Sequence, residues 1–253
     1  MPRVARTRSA TGIYHIIIRG INRQTIFKDE EDNIKLIQTL QKYKETCEYS
    51  LYAYCLMKNH LHLLLKEGKE PLETIMRKIC SSYVLWYNKK YDRVGYLFQD
   101  RFRSEPVEDD KYFLTVIRYI FQNPLKAGIE SKIQNYRWTN YSDYVEGNTK
   151  TDNDFVLNFF HTDRRKAIDG FIEFINQKND DKCIDIAEKR QIGDDDARRI
   201  IKKYCNVDHA MDIQKFEKSK KNSCLRDLKE KYDLSIRQIE RLTGINRGTI
   251  QRA

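Results

Sequence analysis

Long apolar runs and paired cysteines are missing from this sequence, and each absence excludes a class of protein. No stretch approaches the about 18 consecutive apolar residues that a membrane-spanning helix needs, and no apolar segment follows the basic N-terminus as in a secretory signal. The six cysteines are spread singly, without a C-x-x-C pair, which argues against a structural zinc site and against a disulfide framework. We therefore expect a soluble cytoplasmic protein without a membrane partner.

Basic charge, in contrast, is abundant. The chain has 47 lysines and arginines against 37 acidic residues, a net charge of +10 and a pI of about 9.2. Residues 1–23 contain five arginines and no acid, and residues 77–103 contain seven basic residues and two acids. Clustered basic charge suits a phosphate backbone, whose counterions are released on binding, although a merely basic surface would have the same composition. The charge indicates a nucleic-acid partner, and hence nucleoid association, without defining any chemistry.

Strand and helix patterns alternate through the first 147 residues. Strands are predicted over 12–20, 50–56, 60–65 and 98–107, and helices over 29–47, 71–91 and from Asp109 or Asp110 to Pro124. This β-α-β-β-α-β order, followed by a further helix, predicts an α+β fold of ferredoxin-like type. We expect an antiparallel sheet with helices packed on one face.

The pattern becomes all-α after a polar stretch, Glu146–Asp154, which predicts a linker. Helices are predicted over 155–160, 164–177 and 194–204, and a helix-turn-helix over Cys224–Ala253. The last helix of that motif carries Arg247 and Gln251 outward and reaches the final residue after two turns, which fits either a short helix or a truncated one. The sequence thus predicts an α+β domain over 1–147, a linker and helical spacer over 148–210, and a DNA-binding helix-turn-helix region over 211–253.

Two histidines lie two residues apart on the third predicted strand. Because side chains alternate along a strand, His60 and His62 share one face, while the intervening and following leucines point to the other. Two imidazoles on one face can bind one metal ion. An isolated pair of this kind is, however, more often the edge of a half-buried sheet.

A tyrosine and an asparagine lie one turn apart on the helix before Pro124. Tyr119 and Asn123 are four residues apart and lie off the apolar stripe, Tyr119 on the polar side. The tyrosine hydroxyl could then act as a nucleophile, and the amide oxygen of Asn123 could complete a metal site. Oxygen and imidazole together suit Mg²⁺ or Mn²⁺ better than zinc. The residue before a proline is biased away from helix, which leaves the geometry of Asn123 open.

Six segments in a fixed order resemble one known family, the IS200-like single-tyrosine transposases, and especially their REP-associated relatives. The matching segments are Thr11–His15, Arg19–Arg23, Ala53–Leu65, Gln99–Ser104, Arg118–Gly128 and Tyr136–Tyr141. The resemblance implies that His60 and His62 are the HUH pair (His, hydrophobic, His) that binds Mg²⁺ or Mn²⁺, with Asn123 as third ligand. It implies that Tyr119 attacks the scissile phosphate of single-stranded DNA, giving a 5′-phosphotyrosine link and a free 3′-hydroxyl.

The resemblance also implies the substrate. Relatives act on hairpins with a single-stranded flank, and some act as homodimers. Phosphates could be positioned by five basic residues of the first domain: Arg19, Arg23, Arg101, Arg103 and Lys126. Two other functions stay open at this point: a rolling-circle-type nicking enzyme, which shares the HUH pair, and a domesticated DNA-binding regulator that depends on the helix-turn-helix.

Overall fold

Four antiparallel strands form the centre of the first of two compact units in this computed structural model, which describes residues 6–147, 151–184, 193–232 and 234–253. The units span Met1–Ile186 and Ala187–Ala253. The strands are β1 (Ile13–Arg19), β2 (Ser50–Met57), β3 (His60–Lys66) and β4 (Arg103–Pro106). The helices of the first unit are α1 (Glu30–Cys47), α2 (Leu72–Lys90), α3 (Asp110–Lys126), α4 (Tyr141–Glu146), α5 (Asn153–Leu157) and α6 (Arg164–Asn176).

The sheet order is β2-β3-β1-β4, and every neighbouring pair is antiparallel. The predicted mixed fold with an antiparallel sheet is confirmed, and β2 and β3 form the expected hairpin. The fourth strand is shorter than predicted, because between Phe98, which forms only an isolated bridge to Gly20, and Arg103 the chain leaves the sheet.

Helices cover both faces of this sheet, whereas the sequence predicted helices on one face. α1 and α2 pack on the face that carries Leu61, Leu63 and Leu65, as a ferredoxin-like arrangement requires. The further helix, α3, packs on the opposite face against β2 and β3. It can do so because its stripe of Phe113, Val116, Ile117 and Ile120 buries against that second face.

Helix α3 begins where the sequence predicts and ends later. The side chain of Asp109 accepts a hydrogen bond from the backbone N–H of Tyr112 at 2.8 Å, which caps the helix. Pro124 lies inside the helix instead of ending it, and the chain stays helical to Lys126. Because proline lacks an N–H, the helix loses one backbone hydrogen bond near its end. The last turn is still closed, because the Ala127 N–H bonds to the Asn123 carbonyl.

The predicted linker is partly packed into the first unit. The Thr151 hydroxyl bonds to the Asp143 carboxylate, and the Asn153 amide donates to the Asp143 carbonyl. Residues 148–150 of that linker lie outside the described residues. The predicted helical spacer, 148–210, is divided between the units, since α5 and α6 belong to the first and the next helix to the second.

The second unit is built from helices around its own apolar core. The helices are α7 (Asp194–Cys205), α8 (Lys218–Glu230), α9 (Ile236–Thr243) and α10 (Arg247–Arg252). Ser235 and Asn246 cap α9 and α10, and Gly244 takes a left-handed conformation (φ 70°) between them. Among the described residues of the whole chain, no helix combines the length and apolarity that crossing a membrane requires.

The alternation along β3 gives a prediction for stability. Leu63 is fully buried under α1 and α2, so Leu63→Ala is expected to lower the free energy of unfolding by about 2–5 kcal/mol through lost burial and a residual cavity. Leu85→Ala is the matched control, because Leu85 is 73% exposed, and it should change stability by less than about 0.5 kcal/mol. Chemical denaturation of both variants measures the difference, and equal stabilities would contradict the packing.

Candidate active site

Three histidines share the sheet face that α3 covers. His60 and His62 alternate with leucines along β3, as the sequence predicts, and β1 places His15 on the same face. In the strand register His62 lies opposite Ile17, and His15 lies opposite Leu64. His15 is therefore the diagonal neighbour of His62, a separation that long or aromatic side chains can span.

The rings contact one another. His15 Nε2 lies 3.1 Å from His62 Nδ1, and the two rings stack with their centroids 5.4 Å apart. The His60 ring lies edge-on to His62 at 5.2 Å, and its Nδ1 lies 2.7 Å from the side-chain oxygen of Asn59. Contacts at Nδ1 therefore fix the orientation of the His60 and His62 rings. They direct the Nε2 atom of each ring away from Asn59 and His15, respectively.

Burial keeps two of the three rings neutral. It lowers the pKa of His15 to about 3, because a charged imidazole would lose its hydration. Burial also lowers the pKa of His62 well below its ordinary value, and the neighbouring His15 and His60 add to the effect. Both rings are therefore uncharged at neutral pH, which is the form in which an imidazole binds a metal.

Tyr119 lies inside this group and not on the polar side of its helix, where the sequence placed it. Its side chain is only 5% exposed, and its ring meets His15 and His62 edge-on, with centroids 5.9 and 5.8 Å apart. The physical reason is that this sheet face is itself partly polar, so the helix side facing it need not be apolar. The histidine pair and the predicted nucleophile are thus brought together.

Asn123 is buried one turn after Tyr119 on α3. Its Nδ2 donates to the Tyr119 backbone carbonyl at 3.0 Å, so the side chain stays within the helix despite the following proline. This bond uses the amide nitrogen and leaves the oxygen, the atom that a metal would need. Its predicted role as third ligand remains a prediction.

The donors present suit a divalent cation. His62 Nε2 is buried and has no hydrogen-bond partner within the described part of the chain, which is a costly state for a polar atom unless a ligand satisfies it. The described ranges contain no group of three or more His, Cys, Asp or Glu side chains in metal-binding geometry. A site here would therefore combine two imidazoles with amide, water or substrate oxygens, a set that suits Mg²⁺ or Mn²⁺.

Three of the predicted basic residues lie at this site. Arg19 is the register partner of His60 on the neighbouring strand. The Arg23 carbonyl accepts a bond from the side-chain amide of Asn59 at 3.5 Å, next to His60. Lys126 places its Nζ 4.7 Å from the centroid of the Tyr119 ring. A cationic side chain thus lies beside each group, Arg19 opposite His60 on the neighbouring strand and Lys126 beside the Tyr119 ring.

The other predicted DNA-binding residues lie further away. Arg103 is exposed on β4, where it pairs with Ile17 and so is one strand beyond β1, and Arg101 is exposed just before that strand. Arg247 and Gln251 are exposed on α10 in the second unit.

His15 is the residue that sequence reasoning missed. The segment Thr11–His15 contributed to the resemblance, but His15 received no role. The sequence does contain an indication of its importance: His15 is a polar residue on an otherwise apolar strand, on the same face as Ile13 and Ile17. That period places it on one face, whereas its contact with His62 depends on how β1 pairs with β3, which periodicity alone does not determine.

Comparison with known proteins identifies the class. Residues 9–123 match the family described as "Transposase IS200 like". Over 114 residues, 39% of this chain, the sequence is 26% identical to a REP-associated tyrosine transposase of Haemophilus influenzae. The match spans 64% of that relative, less than two thirds of its length. The resemblance is therefore confirmed: residues 9–123 match the IS200-like transposase family and are similar to its REP-associated branch.

Two solved structures are also similar. One is a REP-associated tyrosine transposase bound to a REP hairpin, with a TM-score of 0.49 and 17% identity over 58% of this chain and 86% of that one. The other is described as a transposase from Deinococcus radiodurans R1, with a TM-score of 0.34 and 16% identity over 53% of this chain and 98% of that one.

Proposed function

We propose that this chain cleaves and rejoins single-stranded DNA through a covalent link to Tyr119, with His60 and His62 holding Mg²⁺ or Mn²⁺. The observation that carries the proposal is the buried Nε2 of His62, which has no hydrogen-bond partner among the described residues, beside a tyrosine whose ring lies 5.8 Å from the same imidazole. A metal ligand and a nucleophile must be adjacent to act on one phosphate, and the contact between the His62 and Tyr119 rings supports these roles. The family supplies the reaction type.

The proposed reaction uses these groups. The Tyr119 hydroxyl loses its proton to solvent and its oxygen attacks the scissile phosphorus. As the new O–P bond forms, the bond from phosphorus to the 3′ oxygen breaks, and that oxygen takes a proton from solvent and leaves as a 3′-hydroxyl. A second 3′-hydroxyl can later attack the phosphotyrosine and restore the tyrosine, so that no external energy source is needed. The bound cation would draw charge from a non-bridging phosphate oxygen.

The surrounding cations support this chemistry. Lys126, at 4.7 Å from the ring centroid, stabilises negative charge on the Tyr119 oxygen by Coulomb attraction. Arg19, the register partner of His60, and Arg23, whose backbone contacts Asn59, would position a phosphate bound near His60. Arg101 and Arg103 would extend the basic surface toward β4. Because Tyr119 is 5% exposed, the DNA must displace part of its cover before it reacts.

A covalent-adduct assay tests the proposal. The full chain is incubated with Mn²⁺ and an oligonucleotide that has a hairpin and a single-stranded flank, then run on a denaturing gel. We expect a DNA-linked protein band that disappears with a chelator and with the fully duplex oligonucleotide. Adding a second strand with a free 3′-hydroxyl should yield a rejoined product, whereas a nicking enzyme without strand transfer would leave only the adduct. Binding without adduct across hairpin substrates would favour the domesticated regulator.

We propose that α9 and α10 act as a helix-turn-helix that reads duplex DNA, such as a hairpin stem. The support is the capped helix pair with a left-handed turn and the exposed Arg247 and Gln251 on the second helix. Base contacts of this kind contribute about 1–3 kcal/mol of discrimination each. The double variant Arg247→Ala, Gln251→Ala should therefore reduce the preference for cognate over scrambled stem sequence by about tenfold or more.

The control for that measurement is Arg226→Ala, which removes an equal charge from an exposed position of α8 in the same unit. It should weaken binding to both sequences alike. Competition binding at fixed salt separates the two effects, and unchanged selectivity in the double variant would contradict DNA reading by α10.

A further inference from the structure

A third histidine lies behind the candidate metal site. His15 is fully buried, and its Nε2 lies 3.1 Å from Nδ1 of His62. The other nitrogen of that ring, His62 Nε2, has no hydrogen-bond partner among the described residues. The ring also meets Tyr119 edge-on. It therefore contacts both a proposed metal ligand and the proposed nucleophile.

The shared hydrogen between the two rings can be placed in two ways. If His15 Nε2 is the donor, His62 carries its own hydrogen on Nε2 and has no lone pair there. If His62 Nδ1 is the donor, His62 Nε2 presents a lone pair and His15 Nε2 accepts. Only the second arrangement lets His62 bind a cation through Nε2.

We propose that His15 is a positioning residue that accepts the hydrogen bond from His62 Nδ1–H and so holds His62 in the tautomer that binds the metal through Nε2. This role rests on the proposed function. Partners of this kind orient metal-bound imidazoles and raise their basicity. The position of His15 is fixed by the sheet, because β1 is paired through its backbone with β3 on one side and β4 on the other. The acceptor is therefore in position before any metal binds.

A purely structural role for His15 explains the site less well. Its Nδ1 is buried and has no hydrogen-bond partner in the described ranges, which is unfavourable for a side chain that only fills the core. A phenylalanine of similar shape would fill the same space without that penalty. The histidine is useful here for its second nitrogen, which is the one that meets His62.

Two substitutions separate the two roles. Gln can place an acceptor oxygen near the position of Nε2, whereas Phe keeps an aromatic ring and removes the acceptor. Mn²⁺ affinity is measured by electron paramagnetic resonance on the folded full-length proteins without DNA. We expect His15→Phe to weaken binding by about 10- to 100-fold and His15→Gln to stay within about threefold of the original chain.

A spectroscopic measurement on the unaltered protein completes the test. Long-range ¹H–¹⁵N spectra of the Mg²⁺-saturated chain should show a hydrogen on His62 Nδ1 and none on His15 Nε2. A hydrogen on His15 Nε2, or equal Mn²⁺ affinity in the Phe variant, overturns the role of His15 alone. If the unaltered chain binds no Mn²⁺, the proposed metal site fails and this role fails with it.

Discussion

Tyr119→Phe is expected to abolish the covalent adduct between this chain and single-stranded DNA, by a factor of at least about 10³. The substitution removes one oxygen and retains the ring that packs between His15 and His62. Metal binding and DNA binding should therefore change little, because neither depends on the hydroxyl. Adduct formation over time on denaturing gels, with DNA affinity measured in parallel, checks both parts.

Tyr141→Phe provides the matched control. Tyr141 has nearly the same burial as Tyr119, 6% against 5%, and packs in the same apolar cluster. It should form adduct at the rate of the original chain. If Tyr119→Phe still forms adduct while binding DNA normally, another of the sixteen tyrosines is the nucleophile and the site described here is not the reacting one.

The parts of the site that were predictable are those set by local periodicity. The alternation of His60 and His62 with leucines defines one face of β3 in any sheet, and the structure places both rings on that face. The start of α3 was predictable for a similar reason, because the cap at Asp109 is a local contact with the backbone three residues further on.

The parts that were not predictable depend on pairing between distant segments. His15 meets His62 because β1 pairs with β3 in one particular register, and a shift by one residue would turn His15 to the other face. The burial of Tyr119 has the same origin: α3 packs on a sheet face that contains histidines, so a residue off the apolar stripe is still inside. The first correction adds His15 to the predicted site, and the second buries Tyr119, which the sequence already assigned to it.

His60→Ala is expected to lower adduct formation by a factor of at least about 10², since even a partner of a metal-binding histidine contributes 10- to 100-fold. His60 is half-buried at the start of β3, so its removal costs less packing than removal of the fully buried His62 would. DNA affinity should remain within about threefold, because phosphate contacts come from the basic side chains around the site. Adduct yield at saturating DNA and binding in chelator are the two measurements.

The comparison with His161→Ala decides what His60 does. His161 is exposed in the loop before α6, where its Nδ1 accepts from the Asp163 backbone N–H, and its loss should leave adduct formation unchanged. If His60→Ala lost DNA binding together with cleavage, the pair would be part of the DNA surface or of the fold. A metal ligand gives a different result: cleavage is lost, DNA binding is retained, and a higher Mn²⁺ concentration restores part of the cleavage. Only a residue that contributes to metal affinity is expected to behave in this way. That outcome would join the histidine pair and Tyr119 into one metal-dependent reacting centre.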